Sequence, residues 1–179
     1  MIRGHVDIDF LTEEMLDAVK FTHTIDDDYR KNPLWTELQV PMPNYPNDSL
    51  SLLQVYDEQC PDWAFKIKQQ FDSWIFHSTL AISMLRPGKF TPPHRDALFR
   101  LKETVSSANI DVSHLTPVRV NIFLQDKHIG HFLDIDGDQM FNNYVRGNYV
   151  IIYPEVIHSC GNIGYTNRYT MQISGFIKK

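Results

Sequence analysis

The sequence predicts a mainly β fold with flanking helices, and three observations lead there. The second half of the chain holds several short apolar or alternating runs, each stopped by Gly or Pro. Such runs at short spacing belong to a sandwich or a barrel. The first half holds an amphipathic stripe at helical spacing, Trp63, Ile67, Phe71, Trp74 and Ile75, which suits a helix packed on a sheet. No repeat or low-complexity segment competes with this reading.

The elements follow in order. Thr12 is placed to cap a helix reaching about Lys20, with Glu13 and Glu14 in its first turn, where carboxylates oppose the helix dipole favourably. Residues 26 to 50 carry Pro33, Pro41, Pro43 and Pro46 and predict an extended loop. Asp62 is expected to cap a second helix reaching about Ser78. The pattern then changes. Leu80 to Leu85 predicts a strand stopped by Pro87-Gly88, and Val118 to Leu124 alternates as a second. His128 to Ile135 is a weaker strand ended by Asp136-Gly137. Asn148 to Tyr153 is introduced by Gly147 and stopped by Pro154, and Arg168 to Ile177 is the last strand. Between Asp96 and Pro117 a helix over 97–105 and a loop are expected, either a lid or substrate loop or a peripheral surface excursion.

The bulk composition narrows the function. The 179 residues suit one domain with a sizeable core, divided into a helical and irregular support over 1–78 and a β core over 79–179. A net charge of −5 argues against a broad nucleic-acid-binding face. Two cysteines, Cys60 and Cys160, are too few for a disulfide framework and form no Cys-x-x-Cys pair. The start has no signal-peptide core, and no run approaches the ~20 apolar residues of a membrane helix. A cytoplasmic protein outside the membrane is expected, its oligomeric state open.

The chemistry lies in His94-x-Asp96, His158 and Arg168. An extended segment sends residues i and i+2 to one side, so His94 and Asp96 can reach one metal together. His158 follows Asp96 by 62 residues, at the end of an apolar strand and a proline break. Two imidazoles and one carboxylate are the facial ligand set of non-haem Fe(II) oxygenases, which leave open positions on the ion. Arg168 follows His158 by ten residues, and Arg168 and Thr170 share a strand face. Together they can hold a carboxylate by an ion pair and a hydroxyl bond. His128-x-x-His131 has helix-face spacing in a strand context, and Asp134-x-Asp136-Gly137-Asp138 lacks the later glutamate of a calcium loop. Neither is expected to be a metal site.

Over residues 80 to 177 these features resemble the Fe(II)/2-oxoglutarate-dependent oxygenases. The His-x-Asp…His triad matches His94, Asp96 and His158, and the following arginine and Arg-x-Thr pair match Arg168 and Thr170. The stretch from Val118 to Leu124 and the approach to His158 look somewhat like aspartyl/asparaginyl β-hydroxylases. Prolyl-hydroxylase-like members are also similar. The resemblance implies a double-stranded β-helix, a cupin-like jelly roll. It also implies Fe(II), 2-oxoglutarate as cosubstrate, O2, and hydroxylation of a C–H bond with release of succinate and CO2. Asp96 favours hydroxylation over halogenation, because halogenating relatives vacate that position. Asn121 and Arg119 are further candidates for cosubstrate contact, and Arg95 and Arg100 for an acidic or peptide substrate. Two other classes stand beside this one: a cupin dioxygenase that does not use 2-oxoglutarate, and a non-catalytic jelly-roll binding module.

Overall fold

A period of two runs through most of the central strands, and it builds the architecture. The computed structural model describes residues 3–25, 37, 50–137 and 143–179. In chain order the strands are β1 (Arg3–His5), β2 (His23–Ile25), β3 (Leu52–Tyr56), β4 (Phe76–Leu85) and β5 (Lys89–His94). They continue as β6 (Leu115–Phe123), β7 (His131–Ile135), β8 (Asn148–Ile152), β9 (His158–Asn162) and β10 (Arg168–Lys178). The helices are α1 (Glu13–Asp17), α2 (Asp62–Gln69) and α3 (Phe99–Ser107). None is long and apolar enough to cross a membrane.

A seven-stranded sheet has the order β1-β8-β6-β10-β4-β3-β2, and a three-stranded sheet has the order β5-β9-β7. Every pairing is antiparallel. From β4 to β10 successive strands alternate between the two sheets, which is the winding of a double-stranded β-helix. The expected mainly β fold with flanking helices is thus observed as a jelly roll.

On the outer face of the large sheet, Val55, Ile82, Met84, Val118, Val120, Ile122, Ile151, Met171 and Ile173 form the main core. Trp63, Ala64 and Ile67 of α2, with Phe71 and Ile75 after it, cover that face. Burying a side chain of this size is worth about 1.5–3 kcal/mol, so this face supplies most of the folding drive. The inner face turns toward the small sheet. There Phe123, Val150 and Ile152 pack on Leu133 and Ile135.

Several boundaries differ from the sequence reading. Thr12 does cap α1, its hydroxyl accepting from the Met15 amide, but the helix ends at Asp17. Asp62 is the first helical residue rather than the cap, which is Pro61. The helix stops at Gln69 because β4 already pairs with β10 from Phe76, so Phe71 and Ile75 reach the core from a turn. The first 78 residues are not wholly helical and irregular: β1, β2 and β3 extend both edges of the large sheet. Their shortness and exposure hid β1 and β2, both three residues long. β7 starts only at His131, after a turn in which Gly130 takes φ 87°, and Asp136 and Gly137 form the turn that ends it. The expected helix over 97–105 is α3. The proline-rich 26–50 stretch lies outside the described residues, residues 37 and 50 apart, as does Asp138.

Candidate metal centre

The small sheet brings its ligands together through one register pair. Thr91 of β5 faces Cys160 of β9, and His94 faces His158 across an irregularity in the ladder. Pro92 and Pro93 sit within β5, a position open to proline because β5 is an edge strand. The two imidazole centroids lie 4.2 Å apart. Asp96, two residues beyond β5, turns its carboxylate between them. Its Oδ1 is 3.9 Å from His94 Nε2 and its Oδ2 is 3.7 Å from His158 Nε2.

The neighbouring carbonyls fix the tautomers. His94 Nδ1 lies 2.8 Å from the Pro92 carbonyl, and His158 Nδ1 lies 3.1 Å from the Val156 carbonyl. A carbonyl only accepts, so each Nδ1 donates and each Nε2 presents its lone pair to the centre, the arrangement a metal needs. Burial and the nearby charge of His158 depress the His94 pKa to about 4, so its ring stays neutral at neutral pH. Burial works to raise the Asp96 pKa, but Arg119 and the two histidines outweigh it and hold the carboxyl below its ordinary range.

The donor set fits a metal ion. One ligand atom from each residue lies within 4.8 Å of the others, the one such group among the described residues. Asp96 is buried, yet its Oδ2 has no hydrogen-bond partner. An unpaired buried carboxylate oxygen is costly, and a cation at this point would satisfy it.

Both sheets line a cavity of about 800 Å³ beside the triad. Arg168, Thr170, Gln172 and Ser174 project into it from β10, Arg119 and Asn121 from β6, Ser83 from β4 and Gln54 from β3. The register explains the clustering: Thr170 pairs with Ser83 and Phe123, Gln172 with Asn121, and Ser174 with Arg119. Arg168 is 3% exposed, its Nε has no partner, and its guanidinium lies 5.9 Å from the Phe123 ring centroid. No carboxylate pairs with it among the described residues. A buried cation without a counter-charge is strongly unfavourable, so this end of the cavity suits an anion.

The structure places the other sequence candidates less uniformly. Asn121 lines the cavity with its Nδ2 unpartnered. Arg119 donates through Nη1 to Asp96 Oδ1 at 2.5 Å and through Nε to Ser174 Oγ at 3.1 Å, so its guanidinium is engaged with a candidate ligand residue. Arg95 and Arg100 stand at the cavity mouth, but both charges are already met. Arg95 forms a two-pronged pair with Glu37 at 3.0 and 3.3 Å, and Arg100 pairs with Asp57 at 2.5 Å over the Tyr56 ring.

The sequence reading missed Gln54 and Ser83, whose side chains bond each other at 2.8 Å on the cavity floor. Their signal was a polar residue inside an apolar run. It also missed Tyr144, stacked on Phe123 at 3.7 Å. Burial raises its pKa, and the charge of Arg168 and a hydrogen-bonding approach to that guanidinium work against the rise.

No protein-family model matches the chain, and no curated protein matches it at the sequence level. Solved structures are similar in part. A non-heme monooxygenase in a nickel complex is 16% identical with a TM-score of 0.45, over 65% of this chain and 54% of that one. A Cupin 2 conserved barrel domain protein from Salinispora arenicola is 12% identical at TM-score 0.40, over 69% and 75%. A predicted oxalate decarboxylase from Thermotoga maritima is 12% identical at TM-score 0.40, over 72% and 82%.

Proposed function

We propose that this chain is an Fe(II)- and 2-oxoglutarate-dependent dioxygenase that hydroxylates a C–H bond of a small-molecule or peptide substrate. The observation that carries this reading is the pairing, in one cavity, of a buried two-histidine, one-carboxylate centre with a buried arginine that has no carboxylate partner among the described residues. The centre alone also suits zinc, which takes similar donors. Arg168 supports the first, because a dicarboxylate cosubstrate would supply the counter-charge that no described residue gives it.

His94, Asp96 and His158 would hold the metal on one face. When bound, the iron supplies the redox chemistry that couples decarboxylation of the oxoacid to substrate oxidation. The chain's own residues orient and exclude. Arg168 binds the distal carboxylate of 2-oxoglutarate, with the Thr170 and Tyr144 hydroxyls as further donors. Asn121 Nδ2 is a donor for the oxoacid end or the substrate. The apolar side chains between the sheets keep water from the reacting atoms.

The test is succinate release from purified protein given Fe(II) and 2-oxoglutarate, beside a direct binding measurement. Binding and turnover should both require the triad and Arg168. Metal binding without 2-oxoglutarate binding or succinate release would instead identify a cupin dioxygenase that does not use 2-oxoglutarate, intact succinate release in Arg168→Ala would remove Arg168 from cosubstrate binding, and absence of both metal and oxoacid binding would leave a binding module.

A further inference from the structure

Asp96 has two carboxylate oxygens in unlike surroundings. Oδ1 accepts from Arg119 Nη1, while Oδ2 is buried with no hydrogen-bond partner. Arg119 is not a mobile surface cation. It rises from the middle of β6, between β8 and β10, and its Nε is anchored on the Ser174 hydroxyl at 3.1 Å. Its guanidinium therefore spans the cavity from the large sheet to the loop that carries Asp96. The planar fork fixes where both of its bonds point.

From this we infer that Arg119 is a positioning residue that makes Asp96 a one-oxygen ligand. By occupying Oδ1 it leaves Oδ2 alone to meet the metal and prevents the carboxylate from chelating through both oxygens. A coordination position thus stays free for exogenous ligands. Ser174 acts one step further out, by aiming Arg119. This inference rests on the metal reading above and assigns Arg119 a role distinct from cosubstrate contact.

Two effects of Arg119 on metal affinity have opposite signs, which makes the role measurable. A guanidinium near a dication repels it, so charge alone predicts tighter metal binding when Arg119 is removed. Orientation predicts weaker binding, since loss of a group that orients a ligand typically costs about 10–100-fold in affinity. The experiment is a titration of the metal-free full chain with Co(II) alone, read by its visible absorption, which reports coordination number and geometry. Arg119→Gln should bind Co(II) about 10–100-fold more weakly than the native chain, with altered band position and intensity. Ser174→Ala keeps the charge and the Asp96 pair; it should show a smaller loss of about 2–10-fold and a spectral shift in the same direction. It also serves as the deciding variant if circular dichroism shows that Arg119→Gln does not fold. Native affinity and spectrum in the variants, or tighter binding in Arg119→Gln, would overturn the positioning role alone. Failure of the native chain to bind Co(II) would overturn the metal reading and this inference together.

Discussion

The two faces of the seven-stranded sheet are both buried, yet they are built from opposite chemistry. The outer face is apolar throughout its centre, with Val55, Ile82, Val120, Met171 and Ile173 at 0% exposure. The inner face carries Gln54, Ser83, Arg119, Asn121, Arg168, Thr170 and Ser174 on the alternate positions of the same strands. Five of these seven positions bear uncharged polar groups no more than 7% exposed. Burying Asn121 and Arg168 with unpartnered atoms works against stability. The difference teaches that the outer face holds the fold, while the inner face presents buried polar groups to the cavity.

Substitutions can break this division, and the largest effect should come from the metal centre. His158→Ala removes one imidazole; metal affinity should fall by more than about 100-fold, the upper range for losing merely an orienting group. Equilibrium dialysis checks the affinity, and the melting temperature of the metal-free variant should stay near native. On the outer face the pattern reverses. Ile82→Ala should cost about 2–5 kcal/mol in denaturant unfolding, as a fully buried core truncation does, while metal affinity of the folded fraction is kept.

A pH effect of intermediate size follows from His94. Burial and the charge of His158 hold its folded pKa at about 4, below the ordinary 6.5. The unfolded chain therefore takes up this proton first as pH falls. The contribution is complete above pH 6.5 and is lost between pH 6.5 and about 4, a drop on the order of 3 kcal/mol for the metal-free protein. Unfolding curves at pH 7 and 4.5 should show it, and His94→Gln should flatten the difference. The smallest effect on stability should come from Thr170→Val, within about 1 kcal/mol, with a loss in 2-oxoglutarate affinity of about tenfold. Equal sensitivity of both faces in unfolding and in binding would dissolve the comparison.

The sequence made the two faces legible only in part. Val118 to Leu124 and Arg168 to Ile177 alternate strongly, and their strands were placed within a few residues. His94, Asp96, His158, Arg168 and Thr170 were legible because their spacing and residue types together match a known pattern. β9 was hidden: His-Ser-Cys-Gly-Asn has no apolar period, since one side of it faces the candidate metal site and Gly161 lies under the Phe132 ring. β5 was hidden by its two prolines. The engagement of Arg119 with Asp96 was beyond reach, because 23 residues and a change of sheet separate them, and only tertiary register joins them. Arg95 and Arg100 read as free cations because Glu37 and Asp57 come from distant segments.

The most direct measurement is anaerobic calorimetric titration of the Fe(II)-loaded chain with 2-oxoglutarate, repeated on the metal-free chain and on Arg168→Ala. The account predicts saturable binding at one site per chain, dependent on Fe(II) and weakened at least about tenfold by the substitution, the scale of losing a charge-assisted bond. Binding that ignores both the iron and Arg168, or no binding at all, would contradict it.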